Sequence, residues 1–212
     1  MKEKLRKYYR KYHSIKKLNE FIYKINSKKV DAIFIHIPKT AGISIQKALK
    51  SPIQAHMIAW HVYKRVDKNI WDNTLKFAVV RNPYDRMLSD YLYRVKTNQH
   101  NLQEKKLTFK EWLNKTFVEC DPFYHDKRYN WINQVDWISK PNGEILINEI
   151  LFFENLSTDL KKINNKYNLD INLSLNNSTN RKKHYSEFYD EESKAIVEKW
   201  YKKDLDYFKY TF

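Results

Sequence analysis

Ala32-Ile33-Phe34-Ile35-His36-Ile37-Pro38-Lys39-Thr40-Ala41-Gly42-Ile43-Ser44 passes from a short apolar run into a turn and then into a stretch of helical character. Residues 32–37 are rich in β-branched side chains and bounded by Asp31 and Pro38, so they predict a buried strand. Pro38 to Gly42 make the turn, and Ile43 to Lys50 predict a helix. The same order returns at Leu75: Phe77 to Val80 reads as a strand, Asn82 as a helix cap and Pro83 as the first helical residue. That helix is expected to run to about Lys96, with Tyr84, Leu88, Tyr91 and Val95 on one face. Ile145 to Phe153 is a third apolar run, and Glu154-Asn155-Leu156 leads into a helix ending near Tyr167. Strands alternating with helices predict a three-layer α/β domain with a mostly parallel central sheet. In such sheets ligands bind beyond the carboxyl ends of the strands. The turns at Pro38–Ser44 and Arg81–Pro83 both fall there.

Between and beyond these units the signals are weaker. Helical pieces are expected around Phe109–Phe117, an aromatic segment runs from Phe123 to Trp137, and Pro141-Asn142-Gly143 reads as a turn. An asparagine-rich loop covers residues 168–180, and a tail helix is expected over about Asp190–Phe208. At the other end, Leu5, Tyr8, Tyr12, Ile15, Leu18, Ile22 and Ile25 recur at steps of three or four with lysines between them, which predicts a basic amphipathic helix over residues 4–25. Its apolar stripe suits either the surface of an anionic membrane or acidic partner, or packing on the domain. The division expected is this helical segment, residues 1–29, followed by one domain over 30–212.

Composition narrows the classes. The chain of 212 residues is 42% hydrophobic and 16% aromatic, which excludes wholesale disorder. No apolar run approaches the roughly 20 residues that span a bilayer. Charge interrupts every apolar stretch in the first 30 residues, against a signal peptide. A lone Cys120 excludes a disulfide framework and a cysteine-based zinc site. These features lead to the expectation of a cytoplasmic protein, possible peripheral membrane contact through residues 1–29 aside. The net charge of +15 implies an anionic partner without saying which. Residues 1–29 hold eleven Lys and Arg against Glu3 and Glu20, a net +9, so 30–212 carries only +6. Nucleic acid is therefore not the partner the domain itself points to.

The first turn has the chemistry of a phosphate site. Backbone amides at the start of a helix attract anions. Gly42 permits close approach and unusual φ. Lys39 supplies a flexible point charge, and the hydroxyls of Thr40 and Ser44 are available donors. An ordinary β–α turn with a solvated lysine fits the same pattern. The ATP-binding G-x-x-x-x-G-K-[ST] motif does not fit, because Lys39 precedes Gly42 and only one glycine is present. In the second unit, Arg81 ends the strand, and Arg86 and Ser89 stand three apart on one helix face. An Arg with a Ser hydroxyl suits another phosphate, although Arg86 and Asp90 have the spacing of a surface ion pair.

These two motifs, in this order, resemble those of the carbohydrate sulfotransferases. Pro38–Ser44 resembles that family's 5′-phosphosulfate loop, and Arg81–Tyr91 its 3′-phosphate motif, with an Arg and a Ser eight residues later. Phe153-Glu154-Asn155-Leu156 is similar to the family's segment after its third core strand. Asn176, Ser178, Arg181, Tyr185 and Tyr189, then Asp204-Leu205, Phe208, Tyr210 and Phe212, are similar to its carboxy-terminal pattern. The resemblance spans about residues 31–212. It implies a sulfotransferase fold with a P-loop-like nucleotide site. The donor would be 3′-phosphoadenosine-5′-phosphosulfate (PAPS), with the product PAP left behind, no metal, and a carbohydrate hydroxyl as acceptor. By position, Lys39, Thr40, Ala41, Gly42, Ile43 and Ser44 would cradle the 5′-phosphosulfate. Arg81 and Ser89 would hold the 3′-phosphate, with Arg181 assisting. Ile43 stands where a threonine is usual, so only a backbone contact carries over there.

A base for the acceptor hydroxyl is also required. His56 and His61 lie in the segment where the family places a catalytic histidine, and His56 matches it better. On one helix the two would be about 140° apart. His36 reads as structural, and Glu154, an alternative carboxylate base, as a buried acid. Trp112, Trp131 and Trp137 suit either sugar stacking or core. An acceptor among bacterial surface glycans or glycolipids accords with a cytoplasmic enzyme. Two other classes compete: an ATP-dependent phosphotransferase on a similar sheet, and a non-catalytic basic module binding membrane or nucleic acid.

Overall fold

The computed structural model describes residues 16, 18–27, 30–49, 56–126, 128–173 and 183–212. Its principal elements are β1 (Ala32–Ile35), α1 (Gly42–Ala48), α2 (Ala59–Tyr63), α3 (Lys68–Asn73), β2 (Leu75–Val80), α4 (Pro83–Lys96), α5 (Phe109–Leu113), β3 (Glu149–Phe152), α6 (Leu156–Tyr167), α7 (Glu191–Trp200) and α8 (Lys202–Phe208). Contacts divide them into two compact units, Met1–Val80 with Asp136–Asn177, and Arg81–Val135 with Ser178–Phe212.

The first unit is built on an all-parallel sheet in the order β1-β2-β3. β1 and β2 are buried along their whole length, the pattern of strands covered on both faces. Phe34 lies beside Phe77 in register, and Phe77 beside Glu149. Ala32, Phe34, Phe77, Val79 and Leu151 form a core with Ile45 of α1 and with Leu156, Leu160 and Ile163 of α6. On the opposite face Lys76 carries its ammonium to the Trp71 carbonyl of α3, 2.8 Å away, so even the charged residue of β2 is accommodated under cover. Helices thus lie on both faces, the three-layer arrangement that the alternation of elements predicts. The third apolar run contributes less strand than its composition suggests. Ile145 instead forms an antiparallel bridge with Ser139, closed by a turn with Gly143 at φ 89°, and pairing with β2 proper begins only at Glu149.

Residues 18–26 are helical and belong to this unit. Ile22 and Ile25 are buried while Lys16 stays exposed and Lys24 half-buried, and the Asn26 side chain accepts from the Asp67 amide at 3.0 Å. The carboxyl end of the amphipathic stripe therefore packs on the domain; residues 1–15 lie outside the described residues. Among the described residues no helix is long and apolar enough to cross a membrane.

In the second unit α4 begins as expected: the Asn82 side chain accepts from the Tyr84 amide at 3.1 Å and Pro83 is the first helical residue. Tyr84, Leu88, Trp112, Phe117, Trp131 and Tyr201 are among the residues of its core. The guanidinium of Arg94 lies 4.9 Å from the centre of the Trp131 ring and that of Arg86 5.4 Å from Tyr201. Both arginines are fully buried. The tail is two helices rather than one, because Tyr201 leaves the helical region at φ −107° between α7 and α8.

Asp204 of α8 is fully buried and accepts from the amides of Gln134, at 2.8 Å, and Val135, at 3.0 Å. Burial raises its carboxyl above the usual range and the two amides oppose that shift. Asp204→Ala is expected to strand both donors at about 1–3 kcal/mol each, lowering the melting temperature by roughly 5–15 °C. Asp204→Asn retains an acceptor oxygen and is expected to lose about half as much in calorimetry.

Candidate active site

The loop after β1 departs from the regular backbone at two points. Lys39 has φ 69° and Ala41 φ 63°, both left-handed, each costing roughly 1–3 kcal/mol for a residue with a Cβ. Gly42 does not hold the unusual φ that its type suggested. What it supplies is space: a Cβ there would stand 1.9 Å from both Cδ2 and Nε2 of the His36 ring. Thr40 is buried, and its hydroxyl proton goes to the Ile37 carbonyl at 2.9 Å. Its side chain therefore closes the turn rather than facing outward, which leaves its amide as the group available to a ligand. Ala41 precedes α1 with no side chain capping the helix and no acidic residue in the first turn. The first amides of a helix have no intrahelical carbonyl, so those of Gly42 and Ile43 are presented to whatever occupies the loop. Ser44 is buried, Lys39 half-buried, and the Ile43 side chain about half exposed.

His56 lies against this loop. Its Nδ1 is 3.0 Å from the His36 carbonyl. A carbonyl only accepts, so that contact assigns the proton to Nδ1 and the basic lone pair to Nε2. The two imidazole rings are 4.1 Å apart, centre to centre. His36 is buried; that burial, reinforced by His56 and opposed by Gln46, lowers its pKa to about 3. His56 and His61 do not share a helix, since α2 starts at Ala59 and His56 precedes it. His61, on α2, is pushed below the ordinary histidine value by partial burial and by Lys64 and Arg65. Glu154, expected to be a buried acid, is exposed in the turn Phe153–Asn155 just past β3.

In the second unit Arg81 follows the last residue of β2. Its guanidinium pairs with Asp85, Nε to Oδ2 at 2.9 Å and Nη2 to Oδ2 at 2.8 Å, both side chains nearly buried. Its backbone is held on both sides by one amide: Gln134 Oε1 accepts from the Arg81 N–H at 3.0 Å, and Gln134 Nε2 donates to the Arg81 carbonyl at 2.8 Å. Gln134 is in turn anchored by Asp204. Ser89 is buried one helical face along α4. Arg86 does not form the expected pair with Asp90. It donates to the Asn130 carbonyl at 2.7 Å, while Asp90 pairs with Arg94 at 2.8 Å. The i, i+4 spacing of Arg81 and Asp85 signals their pair; nothing local signals Gln134. Trp112, Trp131 and Trp137 are buried, so none presents a face for a sugar. Arg181 lies outside the described residues.

Comparison with known proteins places these motifs in context. The sequence matches the sulfotransferase family over residues 23–211. It is similar to an uncharacterized protein of Archaeoglobus fulgidus, 26% identical over 114 residues that make up 53% of this chain and 83% of that protein. No solved structure gives a significant match.

The buried His36 makes stability depend on pH. Its folded-state pKa, about 3, lies below the ordinary 6.5, so between those values the unfolded chain binds the extra proton. Stability from this group is complete above pH 6.5 and is lost as the pH falls through that window, by at most about 1.4 kcal/mol per unit. Urea midpoints measured at pH 7 and pH 5 are expected to fall less in His36→Gln than in the unmodified protein.

Proposed function

The chain belongs to the sulfotransferase family, and from that premise we propose that it transfers the sulfuryl group of PAPS to a hydroxyl of a carbohydrate, with bacterial surface glycans or glycolipids as the acceptor class. The observation that carries the donor assignment is the loop after β1, where uncapped amides meet Lys39 with no acid in the first turn of α1. That combination fits a phosphosulfate. The carbohydrate rests on the resemblance of the motifs.

In this reading Lys39 and the amides of Thr40, Ala41, Gly42 and Ile43 hold the 5′-phosphosulfate, with Ser44 behind them. Arg81 and Ser89 take the 3′-phosphate, assisted by Arg181, and Asp85 keeps the Arg81 guanidinium in orientation. His56 Nε2 accepts the acceptor hydroxyl's proton as its oxygen bonds to sulfur. The bond from sulfur to the 5′-phosphate oxygen breaks, and the charge that grows on that oxygen falls against Lys39 and the loop amides. PAP leaves. The basic residues of 1–29 would bring the enzyme to anionic membrane on the cytoplasmic side, where a lipid-linked glycan is presented.

Thermal unfolding with PAP, ADP and ATP–magnesium tests the donor assignment. Ligand at 100 times its Kd stabilises by about 2.7 kcal/mol, or roughly 5–10 °C here. PAP alone is expected to give the shift, and Lys39→Ala and Arg81→Ala to abolish it. A shift with ATP–magnesium alone would overturn the proposal. His56→Ala is expected to keep PAP binding and to lose about 10²–10⁴-fold in kcat.

A further inference from the structure

We propose that His36 is a positioning residue, its ring seated in the space a side chain on Gly42 would need and its carbonyl holding His56 Nδ1, so that one residue ties the backbone of the donor loop to the orientation of the base. The inference rests on the reading of His56 as base given above.

The geometry has three parts. The ring has nowhere to go: Phe34 is stacked on it at 5.7 Å, His56 lies at 4.1 Å, and the Gly42 backbone closes the third side. Displacement of the ring therefore moves the loop, and displacement of the loop moves the ring. The carbonyl is free for the task because β1 ends at Ile35, one residue earlier, so His36 lies beyond the strand ladder. Finally, His36 Nδ1 is buried without a hydrogen-bond partner among the described residues, a state that costs about 1–3 kcal/mol. An apolar ring would fill the same space without that cost but would lose the hydrogen bond with the Gln46 side chain, so space-filling alone does not account for a histidine here. Burial keeps the ring neutral through the working pH range, and no second positive charge then opposes protonation of His56 as it takes the acceptor's proton.

Three variants, His36→Ala, Gly42→Ala and the double substitution, test the coupling, with His36→Gln in place of His36→Ala should the latter not fold. The readouts are melting temperature, PAP affinity by calorimetry, and the tautomer of neutral His56 from its ¹⁵N shifts. Gly42→Ala is expected to lower the melting temperature and to weaken PAP about tenfold, a loss equivalent to about 1.4 kcal/mol. The double variant is expected to recover much of the melting temperature, because the new methyl occupies space the ring has vacated. In His36→Ala the carbonyl remains but the ring packed on His56 at 4.1 Å is gone. His56 is then expected to lose its fixed orientation on that carbonyl and with it the pure Nδ1–H form, with kcat falling about tenfold to a hundredfold and more than KM changes. The proposal is overturned if His36→Ala keeps both the Nδ1–H tautomer and PAP affinity, even with a lowered melting temperature. It is equally overturned if the double variant is no more stable than Gly42→Ala. Should the unmodified protein fail to bind PAP, the donor reading fails, while the tautomer and the melting temperatures still decide the positioning role.

Discussion

Parallel pairing of β1 with β2 is the constraint from which the rest follows. Two parallel neighbours end at the same edge, so Ile35 and Val80 both deliver the chain there. The Pro38–Ser44 turn and Arg81 come directly after those two strand ends. The pairing itself is secured by burial on both faces, with Phe34 against Phe77 and Val79, Ile45 and Leu151 closing the core. Apolar side chains of this size each contribute about 1.5–3 kcal/mol when buried. The edge is thus fixed by residues with no chemical function, which leaves the loops beyond it to carry strained backbone.

That strain is concentrated where the ligand is proposed to bind. Lys39 and Ala41 both adopt left-handed φ within three residues, and neither is a glycine. The turn stays closed because Thr40 spends its hydroxyl on the Ile37 carbonyl and because His36 fills the space under Gly42. Arg81 is held by different means. A buried carboxylate orients its guanidinium and a side-chain amide clamps its backbone. Breaking a buried ion pair by removing one partner typically costs about 3–5 kcal/mol, so the geometry of Arg81 is a structural commitment whatever it binds.

What was legible in the sequence is what depends on neighbours in the chain. The Asn82 cap with Pro83 behind it, the strand at Phe77–Val80, and the helix to Tyr167 all announce themselves through local pattern, and all are present, the strand beginning two residues earlier at Leu75. The misreadings share a physical origin in tertiary contact. Gly42 reads as either a close-approach or an unusual-φ position, and only the packed His36 ring shows that its missing Cβ, not its φ, is what the turn uses. Thr40 looked like a phosphate donor until the fold brought the Ile37 carbonyl to it. Glu154 looked buried from its apolar flanks, yet the turn after β3 rotates it outward. Arg86 and Asp90 had the spacing of a pair, but Asp90 pairs with Arg94, equally spaced on its other side, and Arg86 goes to the Asn130 carbonyl, which spacing does not reveal. Gln134 gave no local sign at all, since its role exists only once Arg81 and Asp204 are beside it.

The two imidazoles show how far environment rather than residue type decides chemistry. His36 and His56 are 4.1 Å apart and begin with the same intrinsic basicity. Burial lowers the pKa of His36 to about 3, while its carbonyl, a group the side chain does not supply, places the proton of neutral His56 on Nδ1. A proton acceptor at this site thus needs no carboxylate partner to set its tautomer, as the backbone performs that task. In the proposed reading, one histidine serves as scaffold so that the other can be a base.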